Sequence, residues 1–573
     1  MGRLLSFGVA VSAVAWLLFS ADRCATAGDY LVHQASDFTF VRSPGGALDF
    51  IEPWQIGNQL FFRSASTNGM ELYRTDGNSV TEFDLNPGAG PFSAPTWFHI
   101  WRHTLYFDAF SNALGWELYS TSGGPPTLVA DIAPGSESSG AGHGSGYAEL
   151  GDYLYFFANV NGTPGLYRTS GIGVEYLAPT SNDAPHIFNT INGQLVFVGN
   201  GESGEEYYRT DGQTVSLLAD VNPGPASSNP QSLFEYAGKL YFHATGPNGT
   251  EFFKTDGISV IELDINPGPA SSNPVGRIIF QNALYFSATR SNGSELFKTD
   301  GTNITEFDVN PGSSNSLAGI WGSAVVGDRL FFRADGPHGA EMFNTDGNSI
   351  KEFDINPGSA GSNPLAFKTT SDSLYFYAQG PQGVELYKAQ GDDVTLIDLN
   401  SGPASSNPAS SALAEFNGSI YLSAFGPAGA ELFRVTGTNI TPFDIFPGTN
   451  GSYPQSFFEF NGDLFFSAVG PNGRAIYRIH GTSIEEVFNP EPRAPPNVVD
   501  RRITAFVPFG DSLLFIGETS QGAHLFRISV VPEPTSLLSV LSMIFVLPRQ
   551  RRATLVGTSL KLKKMIGLLR CRF

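Results

Sequence analysis

Side chains that could bind a cation recur along this sequence as Asp-x-Asn-Pro-Gly, commonly followed by Ser and Asn. Calcium takes six to eight oxygen ligands, and carboxylates and amides both supply them. One carboxylate per segment is few for such a site, and Asp and Asn side chains also bond to the backbone of turns. We therefore predict a structural role, with calcium as the alternative and no other cofactor. The candidate ligands are Asp264, Asn266, Asp308, Asn310, Asp354 and Asn356.

Paired carboxylates, which glycoside hydrolases need, recur as well. Glu251 and Asp256 form one such pair. A catalytic pair has to be unique and desolvated, whereas this pair is repeated, so a structural role is favoured. The equivalent pairs are Glu71/Asp76, Glu206/Asp211, Glu295/Asp300 and Glu341/Asp346.

Nucleophilic hydrolase chemistry is not indicated either. The nine histidines stand in different contexts, and no Gly-x-Ser-x-Gly elbow lies between a strand and a helix pattern. Gly142–Gly146 is a glycine-rich loop by composition. No cysteine lies between Cys24 and Cys571, which leaves no thiol nucleophile or thiolate metal site there. We predict no catalytic and no cofactor-binding residue.

The elements that carry these residues are tandem repeats. The position of Glu251 occurs eleven times, with a spacing of about 45 residues, as expected for a propeller blade. The occurrences are Glu71, Glu117, Gly165, Glu206, Glu251, Glu295, Glu341, Glu385, Glu431, Ala475 and His524. Each copy has four short apolar stretches, in one case near 233–236, 240–244, 251–255 and 260–264. Turn signals such as Asn-Gly and Asp-Gly separate them.

Four strands at this period are typical of a β-propeller blade. We predict an all-β fold in which residues 28–529 form about eleven four-stranded repeats, as one large ring or two rings. A β-solenoid is the alternative. Residues 38–42 are expected to pair with the last repeat. The composition agrees, because 65 glycines, 38 prolines and 13% aromatic residues suit strands joined by tight turns.

The charge distribution excludes nucleic acid as a partner. The chain carries a formal charge of −21, and residues 549–573 contain eight Arg and Lys residues and no acid. The body before this tail is therefore more acidic than the whole, and it repels phosphate.

The segment Glu-Leu-Phe/Tyr-x-Thr-Asp-Gly resembles the repeat of the ELWxxDGT family of bacterial exported proteins. It stands at 71–77 and 295–301, with Phe or Tyr where the family has Trp. The resemblance covers about residues 50–528 and implies a secreted, propeller-like repeat protein without catalytic residues.

Both ends resemble sorting signals. Residues 1–27 have the charge, apolar stretch and small residues of a secretory signal peptide. Residues 530–552 resemble a PEP-CTERM sorting segment, and residues 553–573 form a basic tail. The resemblance implies recognition by an exosortase, transient association with the inner membrane, and a secreted or cell-surface destination in a bacterium. The sorting residues are Pro532, Glu533, Pro534, Arg549, Arg551 and Arg552.

Two functions remain open. We favour a non-enzymatic surface or extracellular-matrix protein that presents an acidic β-scaffold for binding or adhesion, with an envelope or matrix polysaccharide or protein as partner. The alternative is a carbohydrate-active propeller enzyme, a glycoside hydrolase or lyase, with its site in the divergent blades. Convergence of Trp101, His103 and Trp116 with nearby carboxylates would favour the enzyme, and scattered positions would favour the scaffold.

Overall fold

The computed structural model describes most of the repeat region. The described residues are 24–27, 30–35, 40, 51–88, 93–144, 146–180, 188–319, 322–408, 413–490, 503 and 506–530. The chain divides into two compact units, one of Met1–Thr67, Tyr73–Glu82 and Pro454–Phe573, the other of Asn68–Leu72 and Phe83–Tyr453.

The described residues form antiparallel strands throughout. The first six are β1 (Cys24–Ala27), β2 (Tyr30–Gln34), β3 (Ile51–Ile56), β4 (Gln59–Ser66), β5 (Gly69–Thr75) and β6 (Val80–Phe83). The next sixteen are β7 (Thr96–Trp101), β8 (Thr104–Ser111), β9 (Gly115–Thr121), β10 (Thr127–Ala130), β11 (Tyr147–Leu150), β12 (Tyr153–Val160), β13 (Thr163–Thr169), β14 (Glu175–Pro179), β15 (Asn189–Ile191), β16 (Gln194–Gly201), β17 (Gly204–Thr210), β18 (Val215–Leu217), β19 (Gln231–Tyr236), β20 (Lys239–Gly246), β21 (Gly249–Thr255) and β22 (Val260–Leu263).

The remaining strands repeat this pattern. They are β23 (Val275–Phe280), β24 (Ala283–Arg290), β25 (Gly293–Thr299), β26 (Ile304–Phe307), β27 (Ser323–Val326), β28 (Arg329–Gly336), β29 (Gly339–Thr345), β30 (Ile350–Phe353), β31 (Leu365–Thr369), β32 (Leu374–Gly380), β33 (Gly383–Gln390), β34 (Asp393–Ile397), β35 (Leu413–Phe416), β36 (Ser419–Gly426), β37 (Gly429–Thr436), β38 (Asn439–Phe443), β39 (Gln455–Phe460), β40 (Asp463–Gly470), β41 (Gly473–His480), β42 (Ser483–Phe488), β43 (Val507–Phe509), β44 (Ser512–Thr519) and β45 (Gly522–Val530).

In the described ranges these strands form eleven sheets, one for each copy of the repeat. Ten sheets have four strands in sequence order, and the last has the order β1-β2-β45-β44-β43. The prediction of an all-β fold with eleven four-stranded repeats is thereby confirmed, and the fold is an eleven-bladed β-propeller. The repeats are up-and-down meanders, so the solenoid alternative is wrong.

The sheet of β19–β22 shows why the sequence forms a blade. Its second strand is apolar on both faces, and Leu240, Tyr241 and Phe242 are almost completely buried. Its register with β21 runs from Leu240 opposite Thr255 to Gly246 opposite Gly249. Gly249 has φ +91°, and a Cβ atom there would lie 2.8 Å from the backbone nitrogen of Ser271. Glycine is therefore required twice at this hairpin, for its dihedral angle and for its close approach to the following loop.

Apolar side chains from neighbouring sheets share one layer. Tyr241 and Phe252 of one sheet pack in the same cluster as Leu284 and Phe286 of the next. A single sheet cannot bury both of its faces, so each sheet depends on its neighbour for part of its core.

The N-terminal strand β2 joins the C-terminal sheet. Tyr30 lies opposite Val530 and Gln34 opposite Phe526, so β2 covers the edge of β45. The sequence predicted that 38–42 pairs with the last repeat. Within that range the structure describes Phe40, which makes an isolated antiparallel bridge to Ala523 of β45, and the sequence did not predict the pairing of 30–34. The expectation rested on the apolar residues of 38–42, of which Phe40 enters the core, as do Tyr30 and Val32 of β2.

Residues 24–27 lie at the end of the predicted signal peptide and form β1, which pairs with β2. In the described part of the chain, no helix is long and apolar enough to cross a membrane.

We predict that removal of β2 destabilises the C-terminal sheet. A chain that begins at residue 36 should unfold at a lower temperature than one that begins at residue 28. The reason is that Tyr30, 5.2 Å from Phe465 between ring centroids, and Val32 leave the core. The loss should reach at least about 3 kcal/mol, the burial free energy of two such side chains. Equal thermal midpoints would show that β2 is not an integral strand.

Candidate functional site

The repeated glutamate is buried, and its carboxylate accepts hydrogen bonds from the loop that leaves its sheet. The carboxylate of Glu251 accepts hydrogen bonds from the backbone N–H of Ile265 at 2.8 Å and of Ser272 at 2.8 Å. The Ser272 hydroxyl donates a third bond, at 2.7 Å. The loop therefore satisfies its backbone donors on one charged side chain, and charge-assisted bonds of this kind are strong.

The same arrangement recurs through the described repeats. Each glutamate is at most 2% exposed and faces a buried serine 21 or 22 residues later. The pairs are Glu71/Ser93, Glu117/Ser139, Glu206/Ser228, Glu251/Ser272, Glu295/Ser316, Glu341/Ser362, Glu385/Ser406 and Glu431/Ser452.

The serine also binds the next sheet. The carbonyl oxygen of Ser272 accepts a hydrogen bond of 2.7 Å from the backbone N–H of Thr289 in β24. Glu251, Ser272 and Thr289 therefore form a continuous polar link between one blade and the next. Burial raises the pKa of Glu251, against the opposing effect of these hydrogen bonds.

The aspartate of each predicted carboxylate pair has a separate role. Asp256 accepts bonds from the backbone N–H groups of Ile258 at 3.0 Å and Ser259 at 2.9 Å, and they hold its pKa below the usual value. Five residues of extended strand separate it from Glu251, which is about 16 Å. Glycosidase carboxylates lie within about 10 Å of each other, so this pair is structural, as the repetition indicated.

The predicted calcium ligands lie on different sheets. Asp264, Asp308 and Asp354 are exposed. The described residues contain no group of three or more His, Cys, Asp or Glu side chains suited to a metal ion. The Asn266 amide donates to the carbonyl oxygen of Ser271 at 3.5 Å, and its backbone N–H lies 3.4 Å from the Glu251 carboxylate. The turn-bond interpretation therefore applies to Asn266, and the loop's charged acceptor is Glu251.

A second link between sheets was missed from the sequence. Lys254 donates to the carbonyl oxygen of Gly301 in the following Asp-Gly turn, and Lys298 does the same to Gly347. Arg209 reaches Gly257 at 2.8 Å in an equivalent bond. The signal was present in the motif, because a long polar side chain recurs two residues before Asp-Gly.

The residues that would favour an enzyme do not converge. Trp101 is buried, whereas His103 is exposed in the turn before β8. Trp116 is the second residue of β9 and lies opposite Phe110, near the far end of β8, which spans eight residues or about 25 Å. The six sorting residues from Pro532 to Arg552 lie outside the described residues.

Another polar and aromatic group does assemble, between β7 and β11, and sequence reasoning missed it. Its members are Trp97, His99, His143, Tyr147 and Glu149, hereafter the Trp97 cluster. His99 and Glu149 are joined by a contact of 3.0 Å between Nε2 and Oε1. They are fifty residues apart, so only the register of the repeats could have suggested their contact.

Comparisons with known proteins assign no family to this chain. No protein-family model and no curated protein sequence matches this chain. Among solved structures, the extracellular domain of a one-component system assigned in B. thetaiotaomicron is 12% identical, over 89% of this chain and 75% of that one, with a TM-score of 0.25.

Two other structures show similar values. The tricorn protease is 12% identical over 83% of this chain, which spans 55% of that protein, with a TM-score of 0.25. A GH74 enzyme of Niastella koreensis is 11% identical over 82% of this chain and 89% of that one, with a TM-score of 0.23. We infer no activity from any of them.

We predict that Glu251→Ala destabilises the protein by about 3 kcal/mol, because buried donors lose a charged acceptor. Asp264→Ala is the matched control, since that carboxylate is exposed and should change stability by less than about 0.5 kcal/mol. Urea unfolding of both variants measures the difference. Equal losses would contradict the account, because the buried glutamate would then hold the loop no more strongly than the exposed aspartate does.

We predict that the protein loses stability in acid, because the aspartates of the Asp-Gly turns become protonated. Hydrogen bonds from the backbone of Asn303 and Thr302 and from the Asn303 amide hold the pKa of Asp300 at about 2. Its contribution is complete above the unfolded pKa near 4 and is lost as the pH falls through about 2. Asp300→Asn should therefore flatten the fall of the urea midpoint between pH 4 and 2. Asp308→Asn, which changes an exposed aspartate outside the Asp-Gly turns, is the control, and a flattening as large as that of Asp300→Asn would contradict the prediction.

Proposed function

We propose that this protein is an exported, non-enzymatic repeat protein of a bacterial surface or extracellular matrix, presenting an acidic β-scaffold for binding. The observation that carries the proposal is the structural role of the repeated carboxylates. Those of the Glu251 type are buried in loop contacts, and those of the Asp256 type hold turns. Residues with these structural duties are not free to act as acid, base or nucleophile.

The resemblance to ELWxxDGT repeats supports the same proposal. In Glu295–Gly301 the glutamate accepts the backbone N–H of Val309 at 2.7 Å, and the Asp-Gly end forms a turn. The motif is therefore explained by folding alone. A family built on it needs no common catalytic residue, which suits a scaffold.

The scaffold is suited to neutral or cationic partners. Exposed aspartates such as Asp264 and Asp308 add to a negative body, and eight of the 33 Lys and Arg residues of the chain lie after residue 548. Such a surface repels polyanions and favours solubility outside the cell.

Export is the second part of the proposal. The signal peptide at 1–27 directs translocation, and the apolar residues before Arg549 hold the chain in the inner membrane. The arginines remain cytoplasmic by the positive-inside rule. An exosortase then cleaves near Pro532–Pro534, and the body is released or attached at the surface.

Mass spectrometry of the exported protein tests the proposed export and C-terminal cleavage. In a bacterium that has an exosortase, we expect a mature chain that begins near residue 28 and ends near Pro532–Pro534. A variant with Glu533→Ala should remain in the membrane fraction with its C-terminus intact. Recovery of unaltered protein through Phe573 from the extracellular fraction would contradict the proposal.

A further inference from the structure

The Trp97 cluster begins with a residue that departs from the repeat. The first strand of several sheets has a bulge in which one residue adopts a positive φ, and that residue is small in Ser232, Ala366 and Ser456. In β7 the same position is Trp97, with φ 55° and 37% of its side chain exposed. A bulky side chain at positive φ is strained, and such strain is concentrated at functional positions.

The cluster is continuous from Trp97 to Glu149. The rings of Trp97 and His143 lie 5.5 Å apart, and those of His99 and Tyr147 lie 5.6 Å apart. Gly142 connects the two pairs, because a Cβ atom on it would meet the Tyr147 ring at 2.8 Å. Gly142 therefore packs directly against the Tyr147 ring, and the next residue, His143, contacts the indole of Trp97.

Trp97 and His99 differ from the residues that most other sheets have in the same register. The position of His99 is occupied by Phe234, Ile278 and Phe458 in three other sheets and by the polar residues Asn189 and Lys368 in two more. Glu149 is not unusual, since Glu235, Glu415 and Glu459 stand at the same position elsewhere. Folding does not require the indole of Trp97 or the imidazole of His99, because Ser232 and Phe234 serve at these positions in another sheet.

A buried polar pair lies beside the cluster. Asp108 is fully buried and lies opposite Thr96 in the register of β7 and β8. Neither carboxylate oxygen of Asp108 nor the hydroxyl of Thr96 makes a hydrogen bond of ordinary geometry with the described residues. Burial and the charge of Glu117 raise the pKa of Asp108 well above its usual value, against an effect of the Ala141 N–H. Asp108 also interacts electrostatically with Tyr147, which connects this pair to the cluster.

We propose that the Trp97 cluster binds a neutral oligosaccharide. The exposed indole of Trp97 presents a flat apolar surface that can stack on the CH face of a pyranose ring. His99, His143 and Glu149 supply hydrogen-bond donors and acceptors for sugar hydroxyls. The acidic chain disfavours anionic sugars. Stacking on the indole and hydrogen bonds to hydroxyls require no charge on the ligand, so we take uncharged sugars as the ligand class. This inference gives the proposed scaffold a ligand class, and in that sense rests on the proposed function.

Calorimetry with the purified exported protein tests the site. The probes are cellohexaose, laminarihexaose and mannohexaose, with an oligogalacturonate hexamer as the anionic comparison. We expect at least one neutral hexaose to bind and the anionic one not to. Trp97→Ser should weaken that binding about tenfold, the effect of losing one aromatic stacking contact. His99→Phe should also weaken binding, and both variants should fold because Ser232 and Phe234 occupy these positions in another sheet.

Tyr453→Ser is the matched control, because Tyr453 is 45% exposed, has φ 48° and lies outside the cluster. It should leave the affinity unchanged. Absence of binding to all three neutral sugars, stronger binding of the oligogalacturonate, or equal affinity of Trp97→Ser would overturn the proposal. These outcomes test the binding site alone. Export and C-terminal cleavage are measured in the separate mass-spectrometry experiment, and only their absence would contradict the proposed function.

Discussion

A loop that leaves one sheet and enters the next carries backbone N–H groups that no strand can satisfy. In this protein a buried carboxylate accepts them. Glu251 binds the N–H groups of Ile265 and Ser272, and the carbonyl oxygen of Ser272 then accepts the N–H of Thr289 in the following sheet. Because these groups are shielded from water, each hydrogen bond contributes more to stability, and a group left without a partner would cost folding free energy. Consecutive sheets are therefore joined by polar links as well as by the apolar layer that they share.

This constraint determines where function can arise. A carboxylate repeated in eight sheets for folding cannot also be a unique reactive group, so the regular blades act as a scaffold. New chemistry has to come from positions where one repeat departs from the others. The Trp97 cluster is such a departure, because Trp97 stands at a strained bulge where other sheets have a small residue, and His99 stands where three other sheets have an apolar one.

Much of the fold could be predicted from the sequence, since it follows from local rules applied many times. The apolar stretch Leu240–Ala244, the Asn-Gly turn and the stop at Pro267 each indicate a strand or its end, and the structure confirms them. The pairing of 30–34 with the last sheet was missed, because the apolar residues near Phe40 resemble a strand as closely as 30–34 do. Pairing across five hundred residues leaves no local signal.

The candidate site was less predictable for the same reason. The repetition of Glu251 correctly indicated that this residue has a structural role. Its partner Ser272 was not predicted, because it lies 21 residues away and only the turns between them bring the two side chains together. The contact of His99 with Glu149 depends on the packing of two sheets. Residue type and spacing identify what is repeated, whereas a site made by departures from the repeat emerges only when sheets are placed side by side.

Hydrogen exchange of the native protein tests the central claim most directly. If Glu251 holds the loop, the amides of Ile265 and Ser272 should exchange as slowly as those of β21, although they lie outside any strand. The neighbouring turn at Asn248 should exchange fast and serves as the internal reference. Exchange of Ile265 and Ser272 at the rate of that turn would contradict the account, because it would show that the buried carboxylate does not hold the loop between the sheets.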